Sequence, residues 1–171
     1  MSKIDEQCRA LWKEAFGDND SFIEQFMNRY YNPENLLHIG TEKKLFSMLH
    51  LIPFDYNNGT MGIIYALATA TEERSRGYAT ILIQRAIETA KKRGYTHIAL
   101  IPASEQLFSY YNKRGFKGKY RVEFILPDDF DFGIDDKENQ WLTVMPLLEC
   151  SPLPSTKHPI VLTWNNHCNS K

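Results

Sequence analysis

The sequence has few cysteines, no surplus of basic residues and no long hydrophobic run. Its cysteines are widely spaced and form no CxxC motif, so we expect a reducing compartment and no disulfide framework; they are Cys8, Cys150 and Cys168. The 20 basic residues are balanced by 21 acidic ones, which argues against a general nucleic-acid-binding protein. No apolar segment approaches the roughly 20 residues of a membrane helix, and the charged N-terminus lacks the apolar core of a signal peptide. We therefore expect a cytoplasmic protein with no membrane and no nucleic-acid partner.

Several catalytic and ligand-binding motifs are missing as well. The five histidines have no metal-ligand spacing with one another or with the cysteines, so no metal is expected. No Ser-His-Asp or Cys-His arrangement can be defined that would supply a protein nucleophile. Neither a GxxxxGK[ST] loop nor a GxGxxG loop after a strand occurs, which argues against a nucleoside triphosphate or a dinucleotide as the ligand.

The chain has 171 residues, of which 43% are hydrophobic, and this is the size and composition of one α/β domain. Hydrophobic periodicity predicts the order α-α-β-β-β-α-β-α-β-β, with a parallel crossover around the third helix. The helices are predicted at 4–16, from 20 or 21 to 31, at 76–93 and at 104–114. The strands are predicted at 36–41, 44–54, 61–70, 97–101, 120–126 and 141–147. Asn58-Gly59, between the second and third strands, is typical of a tight hairpin turn.

The last twenty residues begin with a proline-containing stretch that is typical of a boundary. We assign residues 1–151 to a single domain and residues 152–171 to a C-terminal tail, which opens with a proline-containing stretch and carries one more strand candidate at 159–164. Because an open sheet edge is a liability for a folded protein, we expect this strand to cover part of an exposed edge.

Residues 66–80, ALATATEERSRGYAT, place a strand end, a turn and a helix start next to each other. The first turn of a helix presents unpaired N–H groups and a partial positive charge, so it binds anions. Gly77 and Ala79 let a ligand approach this backbone, while Arg74 and Arg76 supply donors for phosphate oxygens. The pattern predicts a phosphate or pyrophosphate site. The alternative is a helix-starting glycine beside two solvated arginines.

Residues 63–116 closely resemble the core of the GCN5-related N-acetyltransferases, the GNAT family. The family signature [Q/R]-x-x-G-x-[G/A] is matched by Arg74-Ser75-Arg76-Gly77-Tyr78-Ala79, and the later [F/Y]-Y-x-x-x-G-F element by Tyr110-Tyr111-Asn112-Lys113-Arg114-Gly115-Phe116. The resemblance covers roughly residues 8–126. It implies the fold of acyl-CoA N-acyltransferases, a mixed central β-sheet with a splayed pair of parallel strands and helices on both faces.

The resemblance also implies the activity, which is transfer of the acetyl group of acetyl-CoA to a primary amine by direct attack in a ternary complex. The pantetheine arm would bond to the backbone of Leu67, Ala68 and Thr69, and an N–H there would polarise the thioester carbonyl. Ser104 stands where the family often has a pantetheine-bonding asparagine, so it either takes that role or only caps its helix. The diphosphate would be held by the helix-start segment, namely Arg74, Ser75, Arg76, Gly77, Tyr78, Ala79 and Thr80.

Tyr111 matches the family tyrosine that protonates the departing thiolate of CoA. A phenol with a pKa of about 10 is protonated at neutral pH and can give its proton to sulfur. Alternatively, Tyr111 is a core aromatic on an apolar helix face, the role we assign to Tyr110.

A non-catalytic domain that binds acyl-CoA for regulation would keep the same pyrophosphate loop, and it is the alternative function.

The acceptor is expected to be a small-molecule or peptide amine, and the sequence does not identify it. The acidic segment 128–138 is either a solvated loop or, beside the acceptor channel that the resemblance implies, a surface that attracts cationic amines. Phe130 and Phe132 within it either pack against the acceptor or anchor the loop. The oligomeric state, monomer or homodimer, is left open. So is the general base, for which the candidates are water, Glu42, His50, Asp55, Glu72 and Glu73.

Overall fold

The computed structural model describes residues 1–130, 132 and 140–164, and these form four α-helices and seven strands. The helices are α1 (Lys3–Phe16), α2 (Asp20–Arg29), α3 (Tyr78–Lys92) and α4 (Glu105–Asn112). The strands are β1 (Leu36–Gly40), β2 (Leu45–Tyr56), β3 (Gly59–Thr69), β4 (His97–Leu100), β5 (Lys117–Ile125), β6 (Trp141–Pro146) and β7 (Ile160–Trp164). They form one mixed sheet in the order β1-β2-β3-β4-β6-β5-β7. The mixed α/β class predicted from the sequence is confirmed.

The chain divides into two compact units that share strands β2 and β3. The first unit comprises Met1–Ile52 and Ile64–Glu88, and the second comprises Pro53–Ile63 and Thr89–Lys171. The division runs through the middle of two strands and does not fall at residue 152, the predicted start of the tail. The assignment of one domain followed by a tail stays a prediction.

In the first unit, α1 and α2 are fixed at their ends and to each other by side chains. Ser2 and Asp5 form a reciprocal capping box at the start of α1, which satisfies otherwise unpaired N–H groups. Arg9 of α1 pairs with Glu24 of α2. The apolar faces of both helices bury an aromatic cluster centred on Trp12, which is 1% exposed. The two-helix opening predicted from periodicity is confirmed.

The first unit also contains the edge strand β1. It pairs antiparallel with β2, from Leu36 opposite His50 to Gly40 opposite Leu45, with a register shift between Ile39 and Gly40. Along its outer edge, β1 has no strand neighbour among the described residues.

In the second unit, the β2–β3 hairpin turns one residue earlier than predicted. Asn57 and Asn58 have φ values of 44° and 38°, as the centre of a two-residue type I′ turn requires. Gly59 begins β3 instead, and a Cβ on it would lie 2.7 Å from Thr96 Cγ2. The Asn-Gly pattern located the hairpin but not its centre, because Gly59 serves close packing against Thr96 rather than a positive φ.

The strand predicted at 159–164 is β7, and it has neighbours on both sides. It pairs in parallel with β5, from Val122 opposite Ile160, and antiparallel with the last residues of β2, where Phe54 lies opposite Trp164. β4 and β5 both pair antiparallel with β6, and β7 follows β5 as the last strand in the order. β7 therefore lies at the opposite end of the strand order from β1.

His97 fastens the start of the tail to this unit. Its Nε2 lies 2.8 Å from the carbonyl oxygen of Pro152, and its Nδ1 lies 2.8 Å from Thr96 Oγ1. Because a carbonyl can only accept, Nε2 carries a proton and donates it to Pro152. Its ring also meets that of Tyr56 edge to face, with centroids 5.2 Å apart.

Candidate functional site

The signature segment leads into the start of α3, in the first unit, and Arg74, Ser75, Arg76 and Gly77 are all exposed. β3 ends at Thr69, a short 3-10 turn spans Thr71–Glu73, and α3 begins at Tyr78. Between them, Ser75 and Gly77 adopt left-handed φ values of 64° and 81°. A Cβ on Gly77 would meet nothing within 4 Å. The protein itself leaves the space above Gly77 open, and the positive φ supplies a further reason for glycine.

The N–H groups of this helix start are not capped by the protein. The Ile81 N–H donates to the Gly77 carbonyl at 3.1 Å. In the part of the chain that the structure describes, no group accepts from the preceding N–H groups, those of Ser75, Arg76, Gly77, Tyr78 and Ala79. Unpaired donors at the positive end of a helix dipole form a binding site for an anion.

Side chains from α1 and from the residue that precedes β2 hold the turn that leads into this site. Glu14 Oε1 accepts from the Thr71 N–H at 2.8 Å, and this hydrogen bond lowers the pKa of Glu14. Lys44 Nζ lies 2.8 Å from Glu72 Oε2, at the other side of the turn. These contacts link the turn to two separate segments of the first unit. They are therefore expected to keep the loop in place before a ligand arrives.

Charged side chains of both signs surround the loop. The Arg76 guanidinium lies 3.3 Å from Glu73 Oε2, and both Arg74 and Arg76 are exposed. The Phe46 and Tyr78 rings stack at 5.7 Å with an interplanar angle of 26°, which joins β2 to the first residue of α3. An anion here would meet exposed guanidinium groups as well as backbone donors.

The end of β3 carries the other predicted backbone contacts. Ala66 has φ 50°, which interrupts the regular strand, and an alanine in that conformation is strained. Leu67 and Thr69 are half-buried and Ala68 is buried. Ser47 of β2 bonds to the Ala68 carbonyl and to the Thr69 hydroxyl, both at 2.9 Å. Sequence reasoning missed Ser47, although a serine inside the apolar run LFSMLHLIPF was the signal that could have found it.

Tyr111 lies on α4 in the second unit. It is 8% exposed, and its ring contacts Tyr110 at 5.0 Å and Phe116 at 6.1 Å, both edge to face. Burial raises the pKa of Tyr111 to about 12, so its hydroxyl stays protonated at neutral pH. The Arg114 guanidinium covers the neighbouring Tyr110 ring at 3.4 Å, which fits a packing role for Tyr110.

Ser104 occupies the N-cap position of α4 but makes no side-chain capping bond. The Ser104 carbonyl accepts from the Leu107 N–H at 3.1 Å, and Ser104 is exposed. The capping alternative is therefore not observed for the hydroxyl, which is left accessible. The pantetheine contact remains a prediction.

The candidate bases have different environments. His50 is 1% exposed, and neither ring nitrogen has a hydrogen-bond partner among the described residues. It packs against Phe26 and Trp12 at centroid distances of 5.0 and 5.7 Å, and burial lowers the pKa of His50 to about 3. A neutral imidazole enclosed by aromatic rings does not fit a solvent-linked proton acceptor. Glu42 and Glu72 are exposed, and Asp55 belongs to the second unit.

The aromatic side chains of the acidic segment are buried. Phe130 and Phe132 are 7% and 6% exposed, and the Phe132 ring contacts Phe54 at 6.0 Å and Phe124 at 5.5 Å. Of the two alternatives for this pair, anchoring the loop fits the contacts. Residues 131 and 133–139, which carry Asp131, Asp135, Asp136 and Glu138, lie outside the described residues, as does Cys168.

Two negative findings apply to the described residues. None of their helices combines the length and the hydropathy that crossing a bilayer requires. They contain no group of three or more histidine, cysteine, aspartate or glutamate side chains that could hold a metal ion.

Residues 3–118 match the sequence profile of the acetyltransferase (GNAT) domain. The fold resembles a GCN5-related N-acetyltransferase from Anabaena variabilis ATCC 29413, with a TM-score of 0.54 and 21% identity over 70% of this chain and 30% of that chain. A second such protein, from Kribbella flavida, has a TM-score of 0.56 and 16% identity over 68% of this chain and 32% of that chain. The chain thus spans about a third of the length of these two structures.

A GNAT family N-acetyltransferase from Escherichia coli, solved in complex with CoA, aligns over almost the whole chain. Its TM-score is 0.67, with 13% identity over 99% of this chain and 89% of that chain. At these identities, the structural likenesses show the fold. Among proteins with curated descriptions, none matches the sequence significantly.

Proposed function

The chain belongs to the GNAT acetyltransferase family, and from that premise we propose that it transfers the acetyl group of acetyl-CoA to a primary amine of a small molecule or a peptide. The family domain supports acyl transfer from an acyl-CoA. We propose acetyl as the acyl group, a primary amine as the acceptor and direct attack as the mechanism. We further propose that the reaction takes place in the cytoplasm and uses no metal.

The uncapped helix start of α3 is the observation that carries the proposal. Five consecutive N–H groups have no acceptor among the residues that the structure describes. Together with the exposed Arg74 and Arg76, they suit a doubly charged diphosphate better than a single carboxylate. CoA contains such a diphosphate next to its pantetheine arm. In this proposal the arm runs along the half-buried end of β3, where Leu67, Ala68 and Thr69 provide backbone donors and acceptors.

The proposed reaction is a direct attack. The amine lone pair of the deprotonated acceptor attacks the thioester carbonyl, and a backbone N–H near Leu67 or Ala68 stabilises the developing oxyanion. Collapse of the tetrahedral intermediate breaks the carbon–sulfur bond and expels the CoA thiolate, which Tyr111 protonates. The proton that the nitrogen loses as the amide forms passes through water and restores the Tyr111 phenol. A thiolate in a desolvated site is a stronger base than in water, which favours this proton transfer from a phenol of raised pKa. Ser104 is proposed to bond the pantetheine.

The melting temperature of the protein with and without ligands tests whether acetyl-CoA is the donor. We expect acetyl-CoA and CoA to raise the melting temperature of the protein and ATP to leave it unchanged. At a ligand concentration one hundred times Kd, the stabilisation is about 2.7 kcal/mol. Thiol release is then followed with a panel of primary amines. A rise in melting temperature with ATP alone would disprove that acetyl-CoA is the donor. CoA binding without release of the CoA thiol in the presence of any amine would indicate the regulatory alternative.

Gly77 offers a matched test of the diphosphate site. We expect Gly77→Ala to weaken CoA binding about tenfold, a loss of about 1.4 kcal/mol, because the new methyl group occupies the open space above the loop and strains a φ of 81°. Binding is measured by isothermal titration calorimetry.

Gly17→Ala is the control for this variant. Gly17 has a similar φ of 69° and equally open surroundings, but it ends α1. Both variants should lose similar stability, and only Gly77→Ala should lose CoA affinity. Equal CoA affinities in the two variants would remove Gly77 from the site.

A further inference from the structure

Three polar groups at the end of β3 form a directional hydrogen-bond chain. Ser47 Oγ lies 2.9 Å from the Ala68 carbonyl oxygen and 2.9 Å from Thr69 Oγ1. A carbonyl oxygen only accepts, so the single hydroxyl proton of Ser47 is donated to Ala68. The Thr69 proton must then be donated to Ser47. The chain runs from the Thr69 hydroxyl through Ser47 to the Ala68 carbonyl.

This direction determines what Thr69 can offer to a ligand. Its only proton is committed to Ser47, so Thr69 Oγ1 presents lone pairs alone to any group that approaches it. Ser47 is fully buried and Thr69 is half-buried, so Thr69 is the accessible end of the chain. Ser47, Ala68 and Thr69 all belong to the first unit.

We propose that Thr69 Oγ1 accepts a hydrogen bond from an amide N–H of the pantetheine arm, and that Ser47 is the positioning residue that makes Thr69 an acceptor. The inference rests on the proposed function, which places the arm along this end of β3. Pantetheine amides carry N–H donors, whereas in the proposed binding mode the diphosphate is held by the helix start of α3 and not by Thr69. The hydrogen-bond chain from Thr69 through Ser47 is therefore expected to strengthen binding of the amide-containing arm. It is expected to add nothing to the affinity for the nucleotide end of CoA.

The test compares two ligands on one set of variants by isothermal titration calorimetry. The ligands are CoA and adenosine 3′-phosphate 5′-diphosphate, the fragment of CoA that lacks pantetheine. We expect Thr69→Val and Ser47→Ala each to weaken CoA binding about fivefold and to leave binding of the fragment unchanged. The double variant should bind CoA about as weakly as the weaker single variant, because both changes break the same chain. Thr69→Ser keeps the hydroxyl and should restore wild-type affinity.

Controls and outcomes separate this inference from the proposed function. Thr163→Val on β7 and Ser155→Ala in the tail make the same chemical changes at exposed positions and should leave both ligands unaffected. If wild-type protein bound neither ligand, the proposed function would fail. If wild-type protein bound CoA and Thr69→Val bound it equally well, only the hydroxyl chain would be refuted. Should Ser47→Ala fail to fold, the Thr69→Val and Thr69→Ser pair still decides, since Thr69 is half-buried.

Discussion

Replacing Tyr111 by phenylalanine is expected to lower kcat for acetyl transfer about a hundredfold or more, while Kd for acetyl-CoA stays within about twofold of wild type. General acid catalysis contributes roughly two to four orders of magnitude, and phenylalanine removes the acidic hydroxyl alone. The ring contacts with Tyr110 and Phe116 remain, so the packing of α4 is kept. The measurement is steady-state thiol release with saturating amine, alongside calorimetric titration of acetyl-CoA.

The pH profile gives an independent reading of the same role. An acid must be protonated to act, and burial raises the pKa of Tyr111 to about 12. The wild-type kcat should therefore show no alkaline decline below about pH 11, and it should rise as the acceptor ammonium loses its proton. A decline centred near pH 10, the ordinary value of a tyrosine, would contradict a buried phenol as the acid.

Tyr110→Phe is the matched control for this variant. It removes the adjacent hydroxyl and keeps the ring beneath the Arg114 guanidinium, so kcat should stay within about threefold of wild type. An unchanged kcat in Tyr111→Phe would mean that water supplies the proton. Loss of acetyl-CoA binding in Tyr111→Phe would instead show that the residue is structural.

Local patterns predicted the elements well because each is set by its own sequence. The apolar stripe of α3 and the strong turn chemistry near Asn58 lie within one element or one connection, so periodicity and propensity are enough to find them. The centre of the hairpin lies one residue before the predicted position because Gly59 is needed for close packing against Thr96, which is distant in sequence. A contact of that kind leaves no local signal.

Pairing between distant segments is the part that sequence reasoning could not supply. The strand predicted at 159–164 is expected to cover an exposed edge, but nothing local chooses between β1 and β5 as its neighbour. Its hydrophobic alternation only fixes which face is buried. In the structure, β7 pairs with β5 and the end of β2. The Ser47–Thr69 hydrogen bond escaped for the same reason, since its two hydroxyls lie 22 positions apart.

The predicted diphosphate site depended on fewer long-range contacts. A helix start with a positive-φ glycine and nearby arginines is local, and the N–H groups of residues 75–79 meet no acceptor in the described part of the fold. The sequence pattern could not predict the contacts that hold this loop in place. Glu14 holds Thr71 from α1, and Phe46 stacks on Tyr78 from β2. These contacts come from elements far along the chain, so only the folded structure brings them to the loop.

Replacing His50 by leucine is expected to remove the part of the loss of stability between about pH 6.5 and pH 3 that the buried imidazole causes. In the unfolded chain a histidine titrates near 6.5, whereas burial lowers the pKa of His50 to about 3 in the folded chain. Between these values the unfolded chain binds a proton that the folded chain does not. The free energy of unfolding therefore falls as the pH decreases through this window, by up to about 5 kcal/mol, and is independent of His50 above it.

Other acidic-range groups act in the same direction and must be separated from His50. Burial raises the pKa of Asp5, but hydrogen bonds from Tyr31 and Ser2 outweigh it and lower the net value, so Asp5 also loses stabilising charge in acid. This contribution is common to wild type and His50→Leu, and the difference between their urea-denaturation profiles isolates the imidazole.

His158→Gln is the control for His50→Leu, because it removes an exposed histidine and should keep the wild-type acid dependence. At pH 7, His50→Leu should be about as stable as wild type, since leucine has a similar volume and leaves no buried nitrogen without a partner. Parallel profiles for wild type and His50→Leu across the acid range would mean that the imidazole is solvated and protonated in the folded chain. His50 would then return to the set of candidate bases for the acceptor amine.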